Sequence, residues 1–419
     1  MSSSSSVDNG LPNGGNTGVI AMECLPSDVV LDILSRLPPE SVLDCKLVCK
    51  RLLNILSEWR NQFAKMHHQH QLLQFASIGD ASSSSTGLLF TFKKDEKDTT
   101  IGSRLYYGDM YNDEMNIHES FSYKTLHKAS VSFPRMLGSD VIVGSYNGLI
   151  CLLRYHHGIP DPIHICNPNT GEYVNLPEYA IREEEEYAAA YGFGCIQSMT
   201  NNQYKIVRIY YPASEKYKNG RVEVYTLGSG GWRTIGRTSY QLFTQQPLGT
   251  YVNGSLYWID KKKIMAFNLV DEEFRQIHPP PCYDDPSHNC NYCFDMVLAL
   301  KGNLYFCHQN NEEHLLDIWS LKKNTTEVSW CRDFSIAYNS ACETDDEYPV
   351  HPLLITKKNE VIFVHQGSTL YCYDPKTNMV IKLWDDGSKS ELIWLTAFPH
   401  MNSFVSLRAL GEMAESKKK

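Results

Sequence analysis

The sequence predicts a multidomain chain: a small all-α module of three helices, then a large all-β domain. That domain is a β-propeller of about six blades, with a β-sandwich as the alternative. Three observations carry this prediction. Apolar residues recur at helical spacing between residues 24 and 70. After residue 80, short β-type runs take over, separated by Gly, Asn, Asp and Pro, and no long helix interrupts them. Those runs repeat with a period of roughly 50 residues.

Residues 1–20 are rich in Ser, Asn and Gly and have little to bury, so a disordered tail is expected. They show neither the basic nor the apolar region of a signal peptide. The helical module is read as residues 21–70. Leu25-Pro26-Ser27-Asp28 is a helix start, because Pro is tolerated in a first turn where its missing N–H is not needed. Val29, Val30, Ile33, Leu34 and Leu37 follow at helical spacing, and Pro38-Pro39 stops that helix. Glu40-Ser41 opens a second helix carrying Val42, Leu43, Leu47, Val48, Leu52, Leu53 and Leu56. A third, short segment carries Trp59, Phe63 and Met66. So small a unit is marginal alone and has more apolar faces than it can cover internally. It is either a self-contained bundle or a bundle that lays one face on a partner's helices, and the periodicity does not choose between them.

Residues 71–86 read as a linker, 87–410 as the β-domain and 411–419 as a disordered charged tail. The β-runs are Leu88–Phe92, Val141–Val143, Leu149–Leu153, Ile206–Tyr211, Val222–Leu227, Ser255–Ile259, Ile264–Leu269, Leu304–Cys307, Val361–His365 and Thr369–Tyr373. A tight turn precedes a Leu-bearing strand at Asn147-Gly148, Asn253-Gly254 and Lys301-Gly302, and Asn359-Glu360 is a degenerate copy. Return strands end in turns such as Cys166-Asn167-Pro168 and Tyr373-Asp374-Pro375. Gly254 and Gly302 lie 48 residues apart, the period of a kelch-type blade. Residues 391–410, with Leu392-Ile393-Trp394 and Phe404–Leu407, are expected to supply a closing strand.

Composition excludes several function classes. The 419 residues carry a net charge of −9, which argues against a general nucleic-acid binder. No run of 18 or more apolar residues suggests a membrane span. The 13 cysteines show no framework spacing, which fits small core residues in a reducing cytoplasm or nucleus. The sequons at Asn253 and Asn324 then read as chance.

On these residues the chain resembles a known pair of domains. Leu25-Pro26, Ile33–Pro38, Leu47-Val48-Cys49-Lys50, Phe63 and His67 resemble the F-box. Gly144–Leu149, Cys166-Asn167-Pro168, Tyr191-Gly192-Phe193-Gly194, Tyr204–Val207, Val222–Tyr225, Phe274-Arg275, Leu316–Trp319 and Tyr373-Asp374-Pro375 resemble the plant F-box-associated domain. The resemblance implies that the helical module binds a Skp1-type adaptor, and through it cullin and a RING subunit. It implies that the β-domain holds a target protein of unknown identity, at unknown residues, for ubiquitination and degradation. It also implies a non-catalytic subunit with no cofactor. Carried over by position, the adaptor-binding residues are Leu25, Pro26, Ile33, Leu34, Leu37, Leu47, Val48 and Cys49. Leu52 stands where the family usually has Trp, and a weaker adaptor contact is expected from its smaller area.

Other constellations are weaker. Cys290 and Cys293, near Cys282 and His288, have the spacing of two zinc ligands, but a second such pair is missing. His67, His68 and His70 read as capping or solvated, Glu183–Glu186 as a solvated loop, and Cys45 with Cys49 as buried packing. Gly228–Gly231 reads as a hairpin turn, since no Lys or strand-to-helix context follows. No nucleophile elbow, phosphate loop or HExxH pattern occurs. The alternatives to a ligase receptor are a non-degradative scaffold that binds the adaptor and a propeller enzyme.

Overall fold

The structure, a computed structural model, describes residues 25–77, 87–94, 104–108, 127–128, 141–156, 159–177, 187–197, 202–244, 246–284, 293–323, 328–338, 349–365, 369–384 and 392–416. Its described helices are four: α1 (Ser27–Ser35), α2 (Pro39–Val48), α3 (Lys50–Glu58) and α4 (Arg60–Ser77). Pro26 precedes α1, and Pro39 stands in the first turn of α2, where Pro costs no hydrogen bond. The single second helix expected from residue 40 to 56 is two. Cys49 is extended, at φ −155° and ψ 157°, and breaks it. Unbroken, Val42 and Leu52 would lie about 15 Å apart along one axis. The break folds α3 back, so that Val42, Leu52, Ile55 and Leu56 share one core with Val30, Leu31, Leu34 and Phe63. The expected short third segment is the long α4, which runs seven residues into the span read as linker; residues 78–86 lie outside the described ones.

Among the described residues the strands form five sheets; the eight-stranded one is joined at its middle by a short parallel pairing, Leu248 with Tyr191 and Gly249 with Gly192, and divides there, so six groups result. The first holds β1 (Gly87–Lys94), β2 (Arg104–Gly108) and β3 (His127–Lys128). The second holds β4 (Val141–Tyr146), β5 (Leu149–His156), β6 (Ile159–Asn167) and β7 (Glu172–Asn175). The third holds β8 (Tyr187–Ile196), β9 (Gln203–Pro212), β10 (Gly220–Thr226) and β11 (Trp232–Thr238). The fourth holds β12 (Leu248–Val252), β13 (Ser255–Asp260), β14 (Lys263–Asn268) and β15 (Phe274–Ile277). The fifth holds β16 (Cys293–Leu300), β17 (Asn303–Asn310), β18 (Leu315–Lys323) and β19 (Val328–Ala337). The sixth holds β20 (His351–Ile355), β21 (Val361–His365), β22 (Thr369–Asp374) and β23 (Met379–Trp384). Two strands remain, β24 (Leu392–His400) and β25 (Glu415–Ser416).

β24 completes the first group by pairing antiparallel with β1, from Gly87 opposite His400 to Lys94 opposite Leu392. The first strands of the groups touch in a circle: β24 with β4, β4 with β8, β8 with β12, β12 with β16, β16 with β20 and β20 with β24. That circuit is a six-bladed propeller closed by its last long strand, not two stacked sheets. The expectation of a closing strand holds for Leu392–His400 only. Phe404–Leu407 continues past it as irregular chain.

The core lies between blades. Ile142, Ile150 and Leu152 meet Leu89 between the first and second. Tyr191, Phe193 and Ile206 meet Cys151 and Ile165 between the second and third. Val207 and Ile209 meet Trp258 and Phe267 between the third and fourth. A blade covered on both faces has no solvated side, so β21 is buried throughout and β9 is buried from Tyr204 to Pro212. This explains why those strands read as continuous apolar runs rather than as alternation.

The repeated turns also have a backbone cause. Asn147-Gly148 (φ 48° and 76°), Asn253-Gly254 (46° and 81°) and Lys301-Gly302 (46° and 67°) are left-handed at both central residues, which matches the twist of the hairpin. The return turns are held by side chains. Asn268 Oδ1 accepts from the N–H of Val270 at 2.7 Å and of Asp271 at 3.0 Å, and Asp374 Oδ1 accepts from the N–H of Lys376 at 2.9 Å. Gly228–Gly231 is the turn between β10 and β11.

Candidate functional site

The helical module presents an apolar surface that its own core does not use. α2 is apolar on two sides. Val42 faces the core, whereas Leu47 and Val48 at its end are 82% and 72% exposed. Cys49 follows, also exposed, and Leu53 is exposed one turn into α3. On α1, Val29 and Ile33, one turn apart, are each 39% exposed, and Pro26 is exposed at its start. Fully covering a side chain such as Leu47 or Val48 contributes about 1.5–3 kcal/mol, which water withholds while it stays open.

The adaptor-binding residues read from the sequence therefore divide. Pro26, Ile33, Leu47, Val48 and Cys49 lie at the surface. Leu25 and Leu37 are half-buried. Leu34 is 0% exposed and fills the module's core, so it cannot be a contact residue. Leu52 is likewise buried in that core. Its small size relative to Trp bears on the packing of the bundle rather than on an adaptor contact, which corrects the expectation of a weaker interface. Cys45 is half-buried, and burial pushes its thiol up, but Cys49 is exposed, so the pair is not a buried one.

The module is joined to the propeller by the segment after β24. Phe404, buried, enters the helical core and meets Phe63 edge-on at 5.3 Å and His67 edge-on at 5.1 Å between ring centres. Lys46 Nζ lies 5.4 Å from the centre of its ring. His67, buried, donates from Nε2 to the Leu37 carbonyl at 3.0 Å. Next to this contact, Arg60 of α4 reaches the fully buried Glu172 of β7 at 2.9 Å. The same carboxylate accepts from the Ser406 hydroxyl at 3.1 Å and the Leu407 N–H at 2.7 Å. A buried carboxylate is tolerable only when so many donors replace its water.

The segment is fixed to the ring along its length. Asn167 Nδ2 donates to the carbonyls of Ser403 (3.1 Å) and Val405 (2.7 Å), and the Ser403 hydroxyl donates to the Asn147 carbonyl. Glu412 accepts from the Gly228 N–H at 2.6 Å and the Tyr225 hydroxyl at 3.1 Å. β25 then adds a fifth strand to the second blade, with Glu415 opposite Tyr173. Residues 411–416 are thus an ordered strap rather than the expected tail; 417–419 lie outside the described residues. Phe404 entered the sequence reading only as part of the expected closing strand and Glu172 not at all, because neither carries a local signal for this contact. Their partners lie far along the chain.

The remaining candidates do not converge. His70 faces Asp32 at 3.5 Å, where the Arg36 hydrogen bond holds the carboxyl below its usual range, while His67 points into the Phe404 contact. Among the described residues no group of His, Cys, Asp or Glu is arranged to hold a metal. His288, Cys290, Glu183–Glu186 and residues 1–20 lie outside them. No described helix is long and apolar enough to cross a membrane. The groove beside the junction, about 480 Å³, is lined by Trp59, Arg60, Ser406 and Arg408.

Comparison with known proteins gives the two halves of the chain separate matches. Residues 22–65 match the F-box-like domain, and residues 87–407 match the F-box associated beta propeller domain. Similar proteins come from Arabidopsis thaliana. F-box protein At3g07870 is 26% identical over 396 residues, covering 85% of this chain and 86% of its own length. F-box/kelch-repeat protein At3g23880 is 25% identical, covering 74% and 79%. F-box protein CPR1 is 22% identical, covering 83% and 81%.

Proposed function

The chain belongs to the F-box associated beta propeller family and carries an F-box ahead of that domain, and from this we propose that it is the substrate-recognition subunit of an SCF (Skp1–cullin–F-box) ubiquitin ligase. In this reading the helical module docks a Skp1-type adaptor, which links it to cullin and the RING subunit. The propeller holds a target protein so that ubiquitin is transferred to it. The chain itself forms no bond with ubiquitin and needs no cofactor. The complex acts in the cytoplasm or nucleus, which imaging of the tagged full-length chain reads out.

The observation that carries the reading is the exposed apolar end of α2. Leu47 and Val48 stand 82% and 72% open at the tip of a helix whose other side is packed, and an aqueous surface has no use for them. A helical partner groove covers such residues. The strap adds to this, because it seats the adaptor-docking module and the propeller on one connection through Phe404 and Glu172.

Co-purification of the full chain with a Skp1-type adaptor tests the proposal. The double substitution Leu47→Asp, Val48→Asp is expected to reduce affinity by at least about a hundredfold, since two contacts of about 1.5–3 kcal/mol are lost. Its thermal midpoint should stay near that of the parent. Leu34→Asp is expected instead to unfold the module, because it puts a charge into the core. Undiminished adaptor binding by the Leu47/Val48 variant would overturn the assignment.

A further inference from the structure

The groove of about 480 Å³ beside the junction has one wall from each half of the chain. The helical wall is Ser57 and Glu58, in the last turn of α3, with Trp59 at the corner before α4. The other wall is the strap, with Ser406, Arg408 and Ala409. The F-box match stops at residue 65 and the propeller match at residue 407, so Arg408 and Ala409 lie beyond both.

Both walls are held in place by backbone contacts. The Trp59 N–H donates to the Ile55 carbonyl at 3.0 Å, and its carbonyl accepts from the Phe63 N–H at 2.8 Å, so two helices fix the chain under the indole. The indole is nevertheless 45% exposed. Across the groove, Arg408 Nε donates to the Ala414 carbonyl at 2.9 Å, and the Ala409 N–H donates to the Ser406 hydroxyl at 3.3 Å. Walls ordered in advance leave little entropy to be lost on binding. Trp and Arg are also among the residue types that carry most of the energy of protein interfaces.

The position of the groove identifies what covers it. Cys49, Leu53 and Ser57 recur every four residues and form one exposed stripe along α3. The stripe begins next to the open Leu47 and Val48 and ends at the groove, one helical turn or about 6 Å past Leu53. A stable interface takes about 800 Å² from each partner, a patch roughly 30 Å across that holds about 20–30 residues. Val29, Ile33, Leu47, Val48 and Leu53 supply only part of such a patch. A partner seated on Leu47, Val48 and Leu53 with a footprint of that size reaches Trp59 and the strap.

We propose that the strap is part of the adaptor-docking surface. The Skp1-type adaptor lies along the α3 stripe and enters the groove, with an apolar side chain on the Trp59 indole and an acceptor group toward Arg408. This rests on the receptor reading and extends its docking site from the helices to the propeller half. An adaptor held by both halves fixes the angle at which the propeller presents its target.

The test uses the full chain and a Skp1-type adaptor. Adding the adaptor to the parent chain is expected to slow amide exchange at residues 408–412 as well as at 47–59. Ala409→Tyr and Ser57→Tyr each fill the groove from one wall. Each is expected to weaken adaptor binding at least about tenfold in titration calorimetry, with a parent-like thermal midpoint. Lys218→Tyr, in the exposed turn at the far end of β9, should bind the adaptor as the parent does. Unchanged exchange at 408–412 in a chain that binds the adaptor overturns the inference and leaves the receptor reading standing. Parent-like affinity of Ala409→Tyr does the same. So does sedimentation that finds the parent alone dimeric and Ala409→Tyr monomeric, because the groove then holds a second copy of the chain. A parent chain that takes up no adaptor sinks the receptor reading itself, so the two failures are distinct.

Discussion

Leu52 shares one core with Val30, Leu34, Ile55, Leu56 and Phe63, and its environment fixes what a substitution there can do. Leu52→Ala is expected to cost about 2–5 kcal/mol of module stability. The adaptor affinity of the folded fraction should be unchanged, because the side chain touches the core and not the surface. Titration calorimetry under conditions that keep the variant folded, paired with urea melts, reads both quantities. His400 supplies a pH effect at the same scale. It is buried at the end of the closing strand, with the Ser145 hydroxyl 2.7 Å from its Nδ1, and burial pushes its pKa down to about 4. The unfolded chain takes up this proton below about 6.5, the folded chain only near 4, so the fold is favoured above pH 6.5 and loses stability as pH falls toward 4. The loss is at most about 3 kcal/mol. Burial lowers His68 and His351 in the same direction. A His400→Gln variant should show a flatter decline of its urea midpoint between pH 6.5 and 4; equal slopes would exclude His400 as a source.

At the scale of elements, the hairpin turns separate what a motif dictates from what its surroundings add. Gly148 and Gly254 occupy the same position of the same turn type, at φ 76° and 81°. A Cβ at Gly254 meets nothing within 4 Å, whereas one at Gly148 would lie 2.2 Å from Ser403 Oγ and 2.7 Å from the Ser403 nitrogen. Gly254→Ala should therefore cost only the left-handed strain, about 1–2 kcal/mol. Gly148→Ala should cost clearly more and displace the strap, which increased amide exchange at 402–412 would report. The Gly192 and Gly194 positions of the third blade were legible as a pattern but not as a requirement. Their reason is close approach: an added Cβ would lie 2.7 Å from Leu256 and 2.3 Å from Tyr251. The same limit explains the helices. Apolar spacing located them, yet the extended residue Cys49 that divides α2 from α3 carries no breaker signal, because the break serves the packing of α3 against α1.

At the scale of the whole molecule, the strap makes the helical module dependent on the propeller. A bundle of about 50 residues is marginal by itself, and Phe404 supplies a ring that α1–α4 lack. Phe404→Ala is expected to remove about 3–5 kcal/mol and to raise amide exchange across residues 27–77 rather than only near the substitution. Unaltered exchange in the helices would show that the module stands without the strap. Through this contact, the helical module and the propeller belong to one connected body.

The sequence by itself determined the order of the halves, the helical and β-type periodicities, the left-handed turns and a period that allows six blades. These are local properties, set by residues within one turn or one hairpin of each other. The tertiary structure decided which apolar residues face out. Helical spacing defines a stripe but not its neighbour, so Leu34 and Leu47 looked alike until folding buried one and left the other open. It also decided the role of Phe404, whose partners Phe63 and His67 lie more than 300 residues earlier in the chain. No local pattern encodes a contact whose two sides meet only after the ring has closed.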